Sequence, residues 1–188
     1  LGHAAFFGIG AYASTLIAAS TGLSPYITLV LGGGVAAAIG ILIGLTCVRL
    51  KEWFLAMVTF GFAIITATLV VSVLAPITGG WDGIPSPRLV PPSVTGYLLI
   101  EYYSILLITA ATILLIHLIL KSHIGLAFEA IRENEIEARA SGVNPVKYRL
   151  TGFGISAFLA GVAGALEIHY IGYVTPEIFG IDISFWPV

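Results

Sequence analysis

The first 48 residues of the chain contain no Asp, Glu, Lys or Arg. The whole chain of 188 residues is 58% hydrophobic and 10% charged, whereas a water-soluble domain carries about 25% charged residues. Uncharged stretches of about 20 residues form helices that can cross a bilayer, because a helix satisfies its own backbone hydrogen bonds. A transmembrane β-barrel would need alternating polar and apolar residues, which these stretches lack. The sequence therefore predicts an all-α, polytopic transmembrane helical bundle.

The apolar stretches divide the chain into about five predicted membrane spans. They lie at residues 1–20, 26–48, 53–75, 102–120 and 145–173. Residues 76–98 form a predicted loop that holds five of the nine prolines. We expect residues 1–188 to form a single transmembrane domain. The chain begins inside an apolar stretch and ends without a polar tail, so we expect an internal fragment of a longer membrane protein.

Small residues recur at intervals of four within the predicted spans. Gly40 and Gly44 are four residues apart, as are Ala157 and Gly161. This spacing lets two helix backbones approach closely, which is how apolar helices associate in lipid. The three consecutive glycines at residues 32–34 lie inside an apolar span, so we interpret them as packing residues rather than as a phosphate-binding loop.

Basic residues near the span ends predict the orientation in the membrane. Arg49 and Lys51 lie on the same predicted side as the five Lys and Arg residues at 121–149, and only Arg88 lies opposite. The side that is richer in Lys and Arg is normally cytoplasmic. Residues 76–98 are then predicted to be external in a multi-pass membrane protein.

Residues 121–149, called the charged segment below, hold five of the eight Lys and Arg residues and four of the ten Asp and Glu residues. Helix formers fill residues 124–134, Gly142 predicts a helix end, and Asn144 followed by Pro145 predicts a new start. Apolar residues at helical spacing indicate short amphipathic helices. Such helices lie on lipid head groups or dock into a protein groove. The mixed charge favours the protein groove, and a solvated loop is the remaining alternative.

The sequence offers no pattern for catalysis or metal binding. It lacks the phosphate-binding G-x-x-x-x-G-K-[ST] motif. The single cysteine, Cys47, excludes a C-x-x-C motif, and the four histidines lack metal-ligand spacing. The sequence has no basic face that would predict nucleic-acid binding. Glu101 is interpreted as a solvated residue at a span boundary. Glu167 lies late in the last span, so we expect it at the outer interface rather than at the midplane. A transport role is the alternative, because acidic residues within a membrane are usually functional.

Four motifs occur in order along the chain. The first three are GHAAFFGIGAY at residues 2–12, WFLAMVT at 53–59 and TGGWDGI at 78–84. The fourth is a longer stretch between residues 129 and 165 that contains EAIRENE, YRL and SAFLAGVAGA. In sequence and order they resemble the permease subunits of bacterial and archaeal branched-chain amino-acid ABC importers. The resemblance covers nearly the whole chain, and permeases of this family are longer at both ends.

The resemblance implies that the charged segment inserts into a cleft of a cytoplasmic ATP-binding subunit, which holds the ATP and Mg²⁺. The residues that we expect at this contact are Glu129, Ala130, Arg132, Glu133, Asn134, Glu135, Ala138 and Gly142. Further implied partners are a second related permease subunit and an extracytoplasmic substrate-binding protein. Exposed backbone can replace water around a zwitterion, so the expected path-lining residues centre on the first glycines: Gly2, His3, Gly8 and Gly10, with Glu167.

The predicted function is therefore that of a membrane permease subunit for leucine, isoleucine and valine, without a catalytic site or cofactor of its own. Urea, short-chain amides and other amino acids are left open as substrates. An ion-coupled secondary transporter is the alternative of a different class. That alternative would require intramembrane charges for the coupling ion, and Glu167 is the candidate for such a charge.

Overall fold

The computed structural model describes residues 2–47 and 52–176, and helices make up most of this part of the chain. They are α1 (His3–Thr21), α2 (Pro25–Cys47), α3 (Glu52–Ser72), α4 (Ala75–Thr78), α5 (Tyr97–Lys121), α6 (His123–Glu133), α7 (Glu135–Ala140) and α8 (Pro145–Ile171). Four of them, α1, α2, α5 and α8, are long and apolar enough to cross a membrane. The predicted all-α, polytopic membrane class is confirmed. Arg49 and Lys51, used above to predict orientation, lie outside the described residues, as do residues 177–188 of the C-terminal stretch.

The third span differs from the helix predicted at residues 53–75. Met57–Ser72 and Ala75–Asp82 form a candidate span that is bent by 74° at a short break. Pro76 accounts for the end of α3, because proline has no N–H to donate and its ring would clash with the carbonyl of Ser72. Gly79 follows with a φ of +72°, a left-handed conformation that glycine adopts without steric cost.

A short antiparallel strand pair joins the proline-rich loop (residues 76–96) to the end of α8. The strands are β1 (Ile84–Pro85) and β2 (Tyr173–Val174), with Ile84 opposite Val174. The sequence analysis did not predict this pair, because two-residue strands carry no periodicity. The loop ends at Gly96, two residues before the predicted loop boundary at residue 98, and α5 begins at Tyr97, five residues before the predicted start at Tyr102.

The core lies where α1, α2 and α8 meet through their smallest residues. Gly10 of α1 packs against the backbone of Gly161 in α8. A Cβ atom added to Gly161 would lie 2.5 Å from the Cβ atom of Ala36 in α2, and one added to Gly32 would lie 2.6 Å from the carbonyl oxygen of Gly10. The three backbones therefore touch one another at one level, and no side chain fits between them.

The close-packing predictions at Gly40 and Gly44 are confirmed. Both glycines are buried, and a Cβ atom at Gly40 would lie 2.5 Å from the Cβ atom of Ala157. A Cβ atom at Gly44 would lie 2.8 Å from Cδ1 of Leu150. The packing interpretation of residues 32–34 is confirmed for Gly32, but Gly34 faces open space.

Two helices lie at the edge of this core. Phe62 of α3 contacts Phe6 of α1, with ring centroids 5.6 Å apart. Helix α5 is attached more sparsely: the hydroxyl groups of Ser104 and Tyr26 are 3.0 Å apart, and Ile108 packs beside the buried side chains of α2 and α8. Most of the large apolar side chains of α5 are exposed, so in a bilayer they face lipid or another protein.

We predict that Gly32→Ala destabilises the bundle, whereas Gly34→Ala does not. The new methyl group at residue 32 would meet backbone of α1, which cannot move without separating the helices. We expect a loss of about 1–3 kcal/mol in the free energy of unfolding. At Gly34 nothing lies within 4 Å, so we expect a change within about 0.5 kcal/mol. Unfolding in mixed detergent micelles measures the free energy of unfolding of both variants. Equal losses would contradict the assignment of Gly32, and not Gly34, to the helix contact.

Candidate functional site

The charged segment contains two short helices and the start of a long one, each with a polar cap. Ser122 accepts a hydrogen bond from the backbone N–H of Ile124 at the start of α6. Asn134 caps α7 by accepting from the N–H groups of Ile136 and Glu137, and Asn144 caps α8 in the same way. Such caps satisfy N–H groups that have no partner within the helix. The predicted helix restart at Asn144 and Pro145 is confirmed.

Gly142 lies in the turn that follows the end of α7, where the sequence predicted a helix end. Its φ is +86°, a conformation that residues with a Cβ atom rarely adopt. A groove of about 350 Å³ lies at the turn between α7 and α8 and includes Gly142 and Arg139 in its lining. The turn therefore presents a concave, partly polar surface beside α7.

Two contacts fasten α6 and α7 to α8. The ring of Phe128 in α6 meets the ring of Tyr148 edge to face, with centroids 6.3 Å apart. Glu135 in α7 accepts a hydrogen bond from Arg139 at 2.7 Å and another from Arg149 of α8 at 2.6 Å. A movement of α6 and α7 would therefore be passed to α8 through one aromatic contact and one ion pair.

The carboxyl group of Glu135 is perturbed by its two arginine partners. The hydrogen bond from Arg139 and the positive charge of Arg149 hold the pKa of the Glu135 carboxyl below its ordinary value. Both partners favour the ionised form. Glu135 is thus a negatively charged link between α7 and α8 at neutral pH.

The residues predicted to contact an ATP-binding subunit fall into two groups. Most are at least partly exposed, and these are Glu129, Ala130, Arg132, Glu133, Asn134, Glu135 and Gly142. Ala138 is 4% exposed and lies inside the segment. A larger side chain at Ala138 would disturb the segment itself, so that residue is unsuited to testing a surface contact. The contact role of all eight residues stays a prediction.

Two apolar side chains stand out from the polar surface of the charged segment. Ile136 is 80% exposed and Leu126 is 60% exposed. Both lie on the short helices α6 and α7, which follow the long apolar helix α5. The helical spacing of apolar residues in the sequence predicted this face. It did not indicate that Ile136 is the most exposed residue of the face.

The predicted path residues lie in different surroundings. Gly2, Gly8 and Gly10 are buried, and a Cβ atom at Gly2 would lie 2.8 Å from Cβ of Thr59. His3 is exposed, and its Nε2 atom is 2.8 Å from the Ser156 hydroxyl group. Glu167 is exposed on the surface of α8. The structure does not gather these residues into one site, and their role in a path stays a prediction.

A fully buried histidine joins the helices near the proline-rich loop. His169 of α8 places its Nδ1 atom 2.7 Å from the carbonyl oxygen of Pro87 and its Nε2 atom 2.7 Å from the Ser14 hydroxyl group. A carbonyl oxygen can only accept, so Nδ1 donates and Nε2 accepts from Ser14. The Thr28 hydroxyl group of α2 lies 3.3 Å from Nε2. One side chain thus links α1, α2, α8 and the loop.

Glu101 is not the solvated residue that the sequence analysis predicted. Its side chain is 2% exposed, because α5 begins at Tyr97 and brings Glu101 into the second turn of the helix. Its Oε1 atom has no hydrogen-bond partner. Glu101 lines a groove of about 560 Å³ along α5, which Tyr170 of α8 closes on one side.

Neither a metal site nor a cofactor pocket was predicted from the sequence. Among residues 2–47 and 52–176, no group of three or more His, Cys, Asp and Glu side chains is placed to hold a metal ion. The main polar groups described above lie in two places. The charged segment lies at one end of the long helices, and His169 and Glu101 lie toward the other end.

Long apolar helices joined to a short amphipathic pair define a multi-pass membrane protein with a polar segment between two of its long helices. The family model described as the branched-chain amino acid transport system / permease component matches residues 1–188. The chain belongs to this family of ABC permeases, as the four sequence motifs predicted.

Two curated relatives have the same name, high-affinity branched-chain amino acid transport system permease protein LivM. The protein from Salmonella typhimurium is 35% identical and that from Escherichia coli is 34% identical, each over 204 aligned positions that cover 95% of this chain. The match covers 48% of each relative, so the chain spans about half the length of the curated relatives. No solved structure matches the chain.

We predict that the link between α7 and α8 weakens in acid. Since the folded pKa of Glu135 lies below its unfolded value of 4.5, its stabilisation is present above the unfolded pKa and is lost as pH falls through the folded pKa. Hydrogen exchange of α7 amides, corrected for the intrinsic rate, should show this loss of protection. Glu135→Gln should show low protection at every pH. If the protection of α7 amides in the wild type did not fall as the pH is lowered, the assigned link between Glu135 and Arg149 would be contradicted.

We also predict that His169→Leu loosens the junction between the helices and the proline-rich loop. The substitution removes the hydrogen bonds of a fully buried side chain to Ser14 and Pro87. We expect the free energy of unfolding to fall by about 1–3 kcal/mol and protease cleavage within residues 86–96 to increase. His117→Leu is the control, because His117 is exposed on α5. Equal behaviour of the two variants would refute the role of His169.

Proposed function

We propose that this chain forms part of the translocation path of an ATP-driven importer for branched-chain amino acids. In this proposal, ATP and Mg²⁺ bind to separate cytoplasmic subunits, which dock on the charged segment. Family membership and the names of the two LivM relatives support the transport class and the leucine, isoleucine and valine substrates. The observation that carries the docking assignment is the exposure of Ile136 among charged neighbours.

An apolar side chain with charged surroundings is typical of a contact with another protein. Ile136 lies beside Glu135 and Glu137 on a helix capped at Asn134. Burying a side chain of this size against a partner contributes about 1.5–3 kcal/mol. The neighbouring acidic and basic residues would set the orientation of docking and exclude wrong partners. Leu126, on α6, would add a second apolar contact on the same segment.

The link from docking to transport would pass through α8. Closure of the ATP-binding subunits on nucleotide would move α6 and α7, and the Glu135–Arg149 and Phe128–Tyr148 contacts would carry α8 with them. Because α8 packs backbone to backbone with α1 and α2, the three helices would move as one body. Packed elements of this kind shift as rigid units rather than deforming continuously.

The remaining partners follow from the same proposal. A second related permease subunit would complete the path, and the exposed apolar side chains of α5 offer a surface for it or for lipid. A substrate-binding protein would deliver the amino acid on the side of the proline-rich loop. The inner membrane of a bacterium or archaeon is the proposed location, since such importers take up solutes from outside the cell.

We predict that Ile136→Glu reduces recovery of the ATP-binding subunits with the permease at least tenfold, which corresponds to about 1.4 kcal/mol. The full-length permease would be expressed with its ATP-binding subunits and purified in mild detergent. Ile136→Met keeps an apolar side chain of similar volume, so it should retain them. Membrane insertion should be equal for both variants, because residue 136 lies outside the apolar helices.

Two outcomes would contradict the proposal in different ways. Full recovery of ATP-binding subunits with Ile136→Glu would show that Ile136 is not a docking residue. Leucine uptake into vesicles that contain the permease alone, driven by an ion gradient without ATP, would instead favour a secondary transporter. ATP-dependent leucine uptake by the complete transporter would support the function, and uptake of urea or amides in preference to leucine would refute the substrate.

A further inference from the structure

The carboxyl group of Glu101 is buried although Glu101 lies near the start of α5, among exposed residues. Its side chain is almost fully buried, yet its Oε1 atom has no hydrogen-bond partner. No Lys or Arg among the residues that the structure describes forms an ion pair with it. A buried carboxyl oxygen without a partner is costly, because it has lost its hydrogen bonds with water. This cost indicates that a partner is supplied from outside the described chain.

The groove beside Glu101 has the composition of a site for a small amphipathic molecule. Its volume of about 560 Å³ lies within the usual range for ligand sites, which are mainly apolar with a few polar groups. Leu98, Ile105 and Leu106 supply aliphatic surface, and the phenol groups of Tyr102 and Tyr170 supply hydroxyl donors. The carboxylate, the hydroxyl groups and the aliphatic wall are thus present in one groove.

The groove lies near the end of α5 that follows the proline-rich loop. Glu101 and Tyr102 are in the second turn of α5, and Tyr170 is next to the last residue of α8. A solute delivered on the loop side would therefore meet the polar end of the groove first. The aliphatic residues continue toward the middle of α5, where an apolar side chain of the solute would be buried.

We infer that this groove binds the zwitterion of an aliphatic amino acid, with Glu101 accepting hydrogen bonds from its α-ammonium group. The Tyr102 and Tyr170 hydroxyl groups would donate to the α-carboxylate, and Ile105 and Leu106 would contact the branched side chain. The ammonium group supplies the cation that the buried carboxylate lacks. This inference rests on the proposed function and adds a substrate-contact site, which the comparison with relatives does not identify.

The charge requirement can be tested with three probes that share the same branched alkyl group. Leucine has both charged groups, 3-methylbutylamine has only the ammonium group, and 4-methylpentanoate has only the carboxylate. Ile105→Cys, made in a full-length transporter in which Cys47 and any cysteine outside residues 1–188 are replaced by serine, places a single thiol in the groove for reaction with a maleimide. We expect leucine and the amine to slow labelling at least fivefold, and the carboxylate probe to have little effect.

Substitutions then separate the site from the surrounding helix. Glu101→Gln keeps the shape and removes the negative charge, so protection by leucine and by the amine should be lost and ATP-driven leucine uptake should fall at least tenfold. Tyr102→Phe removes one donor and should weaken protection by leucine more than protection by the amine. Tyr103→Phe is the matched control, since Tyr103 is the next residue on α5 and does not line the groove; it should match the wild type.

Each contrary result overturns the inference. Equal protection by 4-methylpentanoate would show that the groove binds any branched alkyl chain, as a lipid-facing groove would. Wild-type uptake by Glu101→Gln would show that the charge has no role in transport. Failure of Glu101→Gln to assemble with the other subunits would show that the carboxylate contacts a protein partner. Absence of leucine uptake by the wild-type transporter would instead refute the proposed function, and that result is distinct from all three.

Discussion

Lipid tails are as apolar as leucine, so two membrane helices gain little from hiding apolar side chains against each other. The described bundle depends instead on how closely its helix backbones approach. Gly10, Gly32 and Gly161 remove the side chains where α1, α2 and α8 meet, and carbonyl groups and Cα atoms fill the space. The other helices are arranged around this contact: α3 packs on α1, and α5 touches α2 and α8 at a few residues.

Helix α8 connects the two polar ends of the structure. One end carries Arg149 and Tyr148, which hold the charged segment, and the other carries His169, which holds the proline-rich loop. Between them, the small residues of α8 lie against α1 and α2. A force applied to α7 therefore acts on the helix with the most extensive contacts. In contrast, α5, which carries Glu101, contacts α2 and α8 at only a few of the described residues.

Local features were predictable from the sequence and long-range ones were not. The caps at Asn134 and Asn144 and the turn at Gly142 depend on neighbouring residues, so their residue types predicted them. The four-residue spacing of Gly40 and Gly44 predicted close packing, although not its partner Ala157. The burial of Glu101 depends on where α5 begins. The hydrogen bond of His169 to Ser14 joins residues 155 positions apart, and no local pattern indicates it.

The chain order of the core has a consequence for biosynthesis. Helix α8 begins 98 residues after α2 ends at Cys47, which corresponds to roughly 5–20 s of translation at 5–20 residues per second. During that interval α1 and α2 are in the membrane with their glycine surfaces uncovered. The Ser14 and Thr28 hydroxyl groups, 3.1 Å apart, join these two helices without α8. The early hairpin can therefore keep its polar groups satisfied, and α8 arrives at a groove that is already formed.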